Sequence, residues 1–173
     1  HNQDVRLIFA DDPGGQDGVV LLNSRSDNQY SLYEQANGTY EAAPGIRATL
    51  TRVSVDEYRV VDANQNIYTF DGDGRIVNFA NSQGRDWVYT YNANGYLDQV
   101  TANNNSAYLS FGYDSQGRIT SVSDHTGRDI SFAYDSAGDL VTVTDVLNQN
   151  WTYTYDNAHR ITQVTAPDQS IVE

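Results

Sequence analysis

The segment Tyr113-Asp114-Ser115-Gln116-Gly117-Arg118-Ile119-Thr120-Ser121-Val122-Ser123-Asp124 can be parsed without help from its neighbours. Tyr113 closes an alternating run, Leu109-Ser110-Phe111-Gly112-Tyr113, with large residues on one face and small ones on the other. A period of two is the mark of a half-buried strand. Asp114 opens a turn, because its carboxylate can accept hydrogen bonds from the amides just ahead of it. Gly117, at the fourth turn position, supplies positive φ. Ile119-x-x-Val122 then begins a second strand with a spacing of three, which predicts a bulge or a strand touching both faces.

The same grammar recurs on either side. Phe70-Asp71, Tyr91-Asn92, Tyr113-Asp114, Tyr134-Asp135 and Tyr155-Asp156 follow one another at spacings of 21, 22, 21 and 21 residues. Three residues after each acid or amide stand Gly74, Gly95, Gly117, Gly138 and then His159. Ile76, Leu97, Ile119, Leu140 and Ile161 come two residues later, and Phe79, Val100, Val122, Val143 and Val164 three beyond those. Further alternating strands are expected at Trp87–Tyr91, Ile130–Tyr134 and Trp151–Tyr155. A second turn closes each unit at Asn81–Gly84, Asp124–Gly127 and Asp145–Asn148, with a longer Asn-rich turn over Ala102–Ala107 accounting for the single 22-residue step. One such unit cannot bury enough surface to order its own backbone, so neighbours must share hydrogen bonds and stack their rings.

Composition agrees. In 173 residues, 13 are Tyr and 13 are Gly, and aromatic residues make up 12%. Tyr, Thr and Val suit pleated, half-buried surfaces, whereas Gly, Asn and Asp punctuate turns. The net charge of −13 repels a phosphate backbone, so nucleic acid is not expected as a partner. No run approaches the roughly 20 apolar residues of a membrane helix, and no membrane insertion is expected. The chain has no Cys, which removes disulfide and thiol chemistry, and no Met, which implies a processed form or an excised piece.

Residues 1–67 lack the clean repeat. Val19–Leu22, Tyr30–Tyr33, Ala48–Val55 and Tyr58–Val61 read as strands, and residues 61–70 as a degenerate hairpin leading into the first full unit. Two domains are expected: an atypical N-terminal β cap over 1–57 and the repeats over 58–173, joined in one continuous sheet. The fold class is therefore all-β, an antiparallel β-hairpin repeat ribbon.

Residues 113–124 closely resemble the YD-repeat motif of Rhs proteins, and Tyr134–Asp145 and Tyr155–Thr165 repeat it. Asn37-Gly38-Thr39-Tyr40, Tyr58–Asp62 and Tyr68–Asp71 are similar to the segment that opens the repeat region of bacterial Rhs proteins. The resemblance covers residues 28–170. It implies a β ribbon that spirals into a hollow shell, enclosing a toxic domain in bacterial polymorphic toxins and serving as an extracellular scaffold in teneurin-like proteins. The chain is too short to close such a shell alone. The expected partners are further repeats of the same or neighbouring chains, and the expected location is secreted or at the cell surface.

Structural roles account for the residues that could carry chemistry. The repeated acids Asp71, Asp114, Asp135 and Asp156 recur one per unit, which suits each serving its own turn and not a paired acid and base. Asp71-Gly72-Asp73-Gly74 and the Asp11/Asp12/Asp17 loop carry oxygen ligands, but neither continues into the calcium-loop pattern. His1, His125 and His159 have no metal-ligand spacing, and no nucleophile elbow or phosphate loop is present. No catalytic, cofactor or metal residues are expected. The structural positions are Phe70, Asp71, Gly74, Tyr91, Gly95, Tyr113, Asp114, Gly117, Tyr134, Asp135, Gly138, Tyr155 and Asp156. Trp87, Tyr89, Trp151 and Tyr153 could stack on sugars, so the alternative to a scaffold is an adhesin-like module that recognises a glycan or protein, or self-associates through its sheet edges.

Overall fold

A computed structural model describes residues 5–11, 17–23, 28–35, 37, 39–42, 44–102 and 106–172. The chain forms two compact units, residues 1–89 and 90–173. In the first, β1 (Arg6–Asp11), β2 (Asp17–Asn23), β3 (Asn28–Glu34) and β4 (Tyr40–Ala42) make a four-stranded antiparallel sheet in chain order. A second antiparallel meander follows: β5 (Ala48–Ser54), β6 (Glu57–Asp62), β7 (Ile67–Asp71), β8 (Ile76–Ala80) and the start of β9 (Asp86–Tyr91).

The expectation of one continuous sheet is thus corrected. Between Ala42 and Ala48 the chain passes through a turn at Pro44-Gly45, where Gly45 has φ of +91°, and β5 begins a separate sheet. The expected strands at 19–22, 30–33 and 58–61 are present within β2, β3 and β6, the one expected at 48–55 is β5 and ends one residue earlier, at Ser54, and β1 and β4 have no counterpart in the sequence reading.

The two sheets seal a core by alternation. Register places Leu50, Val60, Tyr68, Phe79 and Trp87 in one cross-strand row, and Arg52, Tyr58, Phe70 and Ile76 in the next. Leu7 from β1 and Leu32 from β3 meet Leu50, Tyr58, Val60, Phe70 and Ile76 in a single cluster, with Leu32, Val60 and Phe70 wholly excluded from solvent. Phe9 adds a tilted ring contact to Tyr58 at 4.8 Å. The Leu7 amide donates to the Gly74 carbonyl at 2.9 Å, so β1 is stitched to the turn after β7. A Cβ at position 74 would collide with the Leu7 carbonyl, and Gly74 has φ of +76°; both facts require glycine.

The second unit contains β10 (Leu97–Ala102), β11 (Ala107–Tyr113), β12 (Ile119–Asp124), β13 (Asp129–Tyr134), β14 (Leu140–Thr144), β15 (Asn150–Tyr155), β16 (Ile161–Thr165) and β17 (Ile171–Val172), paired antiparallel in chain order. The spacing-of-three puzzle resolves into a bulge. Gly112 faces Ser121 but Tyr113 faces Ile119, so Thr120 is the extra residue. The same slip recurs at Ala133/Tyr134 and Thr154/Tyr155, and in the first unit at Thr69/Phe70. An extra residue between Ile119 and Val122 returns both apolar side chains to one face.

That face runs through register as Phe111–Val122–Ile130 and Phe132–Val143–Trp151, then Tyr153–Val164. The opposite face carries Gly112–Ser121–Ser131–Thr144 and Ala133–Thr142–Thr152–Thr165. Among the described residues every fully buried side chain lies in the first unit. The strands of the second all belong to one sheet.

Candidate functional site: the repeat turn

Each repeat turn is built by its acid. Asp114 Oδ1 accepts from the amides of Gln116 and Arg118, both at 2.9 Å, and Oδ2 accepts from Arg118 Nε at 2.7 Å. The Asp114 amide returns a bond to the Arg118 carbonyl at 3.0 Å, and the Gly117 amide donates to the Asp114 carbonyl at 3.1 Å. Asp71 with Arg75, and Asp156 with Arg160, repeat the arrangement. Asn92 keeps only the amide bonds, and Asp135 does the same because Asp139 stands where the others have Arg. The Arg118 amide, and after it the guanidinium, hold the Asp114 carboxyl below the ordinary carboxylate range. The Arg160 side chain does the same for Asp156. These carboxylates are already committed as acceptors.

The tyrosines join one repeat to the next. Tyr113 Oη donates to the Leu97 carbonyl at 2.8 Å, Tyr134 Oη to Ile119 at 2.9 Å, and Tyr155 Oη to Leu140 at 2.9 Å. Each acceptor is the first strand residue after the preceding turn. Tyr113 and Tyr155 have pKa values raised first by burial and then by a nearby acid, Asp98 and Asp139 respectively. Both remain neutral donors.

The residues after two of the turn glycines also reach forward. Tyr96 stacks on Tyr113 with centroids 5.0 Å apart and an interplanar angle of 28°. Arg118 lies over the Tyr134 ring at 4.4 Å. A Cβ on Gly117 would strike the Tyr96 hydroxyl, so this glycine serves both its φ of +79° and the side chain crossing it. Gly95 and Gly138 hold the same left-handed turn position, with φ of +80° and +95°. Tyr96, Arg118 and Asp139 were not singled out from sequence; the recurrence of Arg at 75, 118 and 160 was the available signal.

Phe70, at the tyrosine position of the first unit, is sunk in the core, and Tyr91 ends β9 half-buried. Trp87 stacks on Phe79 at 5.3 Å, and Tyr89 packs against the first unit's core. In the second unit Trp151 faces Val143 and is 40% exposed, and Tyr153 faces Val164 half-buried. His125 lies edge-on to Tyr108 at 6.2 Å, and His159 Nδ1 contacts both oxygens of Asp139 at 3.0 and 2.9 Å. In the 71–74 candidate loop, Asp71 and Asp73 both pair with Arg75. The Asp11/Asp12/Asp17 loop and His1 lie outside the residues whose side chains are described. Among the described residues no group of three or more His, Asp or Glu is arranged to hold a metal ion.

A β-hairpin array in which three successive units, at Tyr113, Tyr134 and Tyr155, hydrogen-bond to a carbonyl of the unit before defines a structural ribbon-repeat protein. Residues 113–147 and 134–171 match the RHS Repeat family, and residues 46–126 match the Teneurin YD-shell family. Over residues 46–171 the chain carries repeats of the YD (Rhs) type. No curated protein shows significant sequence similarity to it. It is similar in fold to chains in the crystal structures of TcdB2-TccC3-Cdc42 and TcdB2-TccC3-TEV, each at 16% identity with a TM-score of 0.53, covering 91% and 92% of this chain. A structure of the Photorhabdus luminescens Tc holotoxin pore with a substituted TccC3 aligns over 90% of this chain, at 16% identity and a TM-score of 0.52. In each case the chain spans 11% of the other chain's length.

Proposed function

We propose that the chain is a wall segment of a larger toxin-enclosing shell, secreted or displayed at the cell surface, with no catalytic role of its own. The observation that carries this is the hydroxyl-to-carbonyl bond linking each repeat to its predecessor at Tyr113, Tyr134 and Tyr155. The signature residues spend their polar groups on continuity of the ribbon, and the turn acids spend theirs on local amides and arginines. Residues 1–57 serve as the cap of the repeat region and 58–173 as its opening repeats. The match of residues 46–126 to the Teneurin YD-shell family and the similarity in fold to chains in the TcdB2-TccC3 structures support the reading.

The test is an in-frame deletion of one whole repeat, residues 114–134, in the full-length parent protein. Protease protection of the enclosed domain should be lost while the remaining repeats stay folded. Unchanged protection would overturn the shell reading. The second reading, a binding module for a glycan or protein, draws on the exposure of Trp151 beside Tyr153 on β15. Glycan-array binding that disappears in Trp151→Ala, with stability intact, would favour it.

A further inference from the structure

Three successive steps along the turn row of the second unit can be compared. At each, the residue following the left-handed turn position projects onto the next repeat's turn. Tyr96 crosses Gly117 and stacks on Tyr113. Arg118 passes Gly138, where an added Cβ would stand 3.5 Å from its Nη1, and covers Tyr134. At the third step the projecting residue is the short Asp139, and the left-handed position ahead of it holds His159, with φ of +60°, in place of glycine. The imidazole occupies the space that a long side chain takes elsewhere, and its Nδ1 meets both Asp139 oxygens at 2.9–3.0 Å. A large projecting residue goes with glycine, and a short acidic one goes with histidine.

We propose that Asp139 and His159 form a pH-sensitive clasp between two successive repeats, closed while the imidazole is protonated and released as it loses its proton. The other two steps are a ring stack and a guanidinium over a ring, and neither contains a group with an unperturbed titration near neutrality. The charges facing His159 all favour the proton. Asp139 comes first, through its hydrogen bond and its charge, followed by Asp135 from the preceding turn and Asp156 from its own. Tyr155 on β15 is neutral in this range, and the neighbouring Arg160 is paired with Asp156. His159 is therefore raised above the ordinary imidazole value in the folded protein. The linkage sign follows: the clasp contributes fully below the unfolded-state value and is lost as pH rises through the folded one. A non-glycine residue at positive φ carries a backbone cost, which the closed clasp offsets.

The experiment uses the full chain and three variants. Asp139→Asn removes the charge but keeps an acceptor. His159→Gly removes the clasp and leaves the residue that the other turns use. The double variant Asp139→Arg with His159→Gly rebuilds the arginine–glycine step. Ring resonances of His159, assigned by their loss in His159→Gly, should titrate at a higher midpoint in the wild type than in Asp139→Asn. In a Trp87→Phe background the urea midpoint followed by Trp151 fluorescence should fall across that titration, and it should stay level over the same range when His159→Gly or the double variant is added. An unchanged His159 midpoint in Asp139→Asn, or a fall that persists in His159→Gly, would overturn the proposal.

Discussion

The two units use one strand register to opposite ends. In the first, Phe70 stands at the tyrosine position of the repeat and Ile76 faces it across the bulge; a second sheet seals both, leaving Phe70 with no solvent exposure. In the second, Tyr113, Tyr134 and Tyr155 stand at that position opposite Ile119, Leu140 and Ile161, and none of the three is fully buried. They remain half-buried, and each hydroxyl finds the carbonyl of the previous repeat. A phenyl ring suits a site that excludes water on every side. A phenol suits a site where the ring is half covered and its tip can bond. The same position is stabilised by burial in one unit and by a lateral hydrogen bond in the other.

The largest test of that contrast is truncation. Phe70→Ala leaves a sealed cavity and should cost about 3–5 kcal/mol. Phe132→Ala, on the open face of β13, should cost clearly less, because water reaches the vacated site. The two tryptophans make the units separately readable. In a Trp151→Phe background, urea unfolding followed at Trp87 reports the first unit, and Trp87→Phe leaves Trp151 to report the second. Equal losses from the two truncations would mean that the second unit has a covered core as well.

Exchanging the rings is a sharper test. Phe70→Tyr places a hydroxyl where the surroundings are Leu7, Leu32, Leu50 and Val60, and an unsatisfied buried hydroxyl costs about 1–3 kcal/mol. Tyr113→Phe removes a part-buried bond to Leu97 and should cost about 0.5–1.5 kcal/mol. Both exchanges should destabilise, in the order given, measured by the same two fluorescence reporters. A neutral Phe70→Tyr would show that the core admits water.

These contrasts were unevenly legible in the sequence. The repeat period, the alternating strands at Leu109–Tyr113 and Trp151–Tyr155, and the all-β class could be read because each depends on local pattern. The bulge was half visible: Ile119-x-x-Val122 betrays a broken alternation, but only register shows that Thr120 is the extra residue. β1 escaped because Leu7-Ile8-Phe9 is a short apolar run without alternation, although Asp11-Asp12-Pro13-Gly14 marks a turn just after it, and its pairing with β2 and its stitch to Gly74 are made by tertiary contact. The separate first sheet escaped for the same reason. The hydroxyl bonds from Tyr113 to Leu97 and from Tyr134 to Ile119 span 16 and 15 residues. Such reach depends on how one hairpin lies beside the next, which no single repeat encodes. The forward contacts of Tyr96, Arg118 and Asp139 fall in the same class.

Glycine gives a smaller effect that separates the two turn rows of the second unit. Gly117 and Gly127 have nearly equal φ, +79° and +83°, but an added Cβ meets the Tyr96 ring at the first and nothing within 4 Å at the second. Gly127→Ala should show only the left-handed backbone cost, on the order of 1–2 kcal/mol. Gly117→Ala should add the displacement of Tyr96. The excess, and not the total, is the informative quantity, and it should shrink when Tyr96→Ser is combined with Gly117→Ala. An excess that survives removal of the ring would place the strain in the turn backbone alone.

Acid gives the gentlest probe of the contrast. In the second unit Asp114, Asp124, Asp156 and Asp168 all have carboxyl pKa values lowered in the folded protein. The causes differ: the Arg118 amide for Asp114, the Thr126 hydroxyl and then Arg128 for Asp124, the Arg160 side chain for Asp156, and Ser170 for Asp168. A group lowered on folding contributes stability above its unfolded-state value, about 3.9 for Asp. That contribution drains away as pH falls through the folded value. The first unit rests on a core cluster that contains no carboxylate. Urea midpoints taken from pH 6 downward should therefore fall earlier at Trp151 than at Trp87, and Asp124→Asn should flatten the fall at Trp151. Parallel falls at both reporters would mean that the turn acids stabilise the chain as a whole, and that the second unit does not depend on its turns any more than the first.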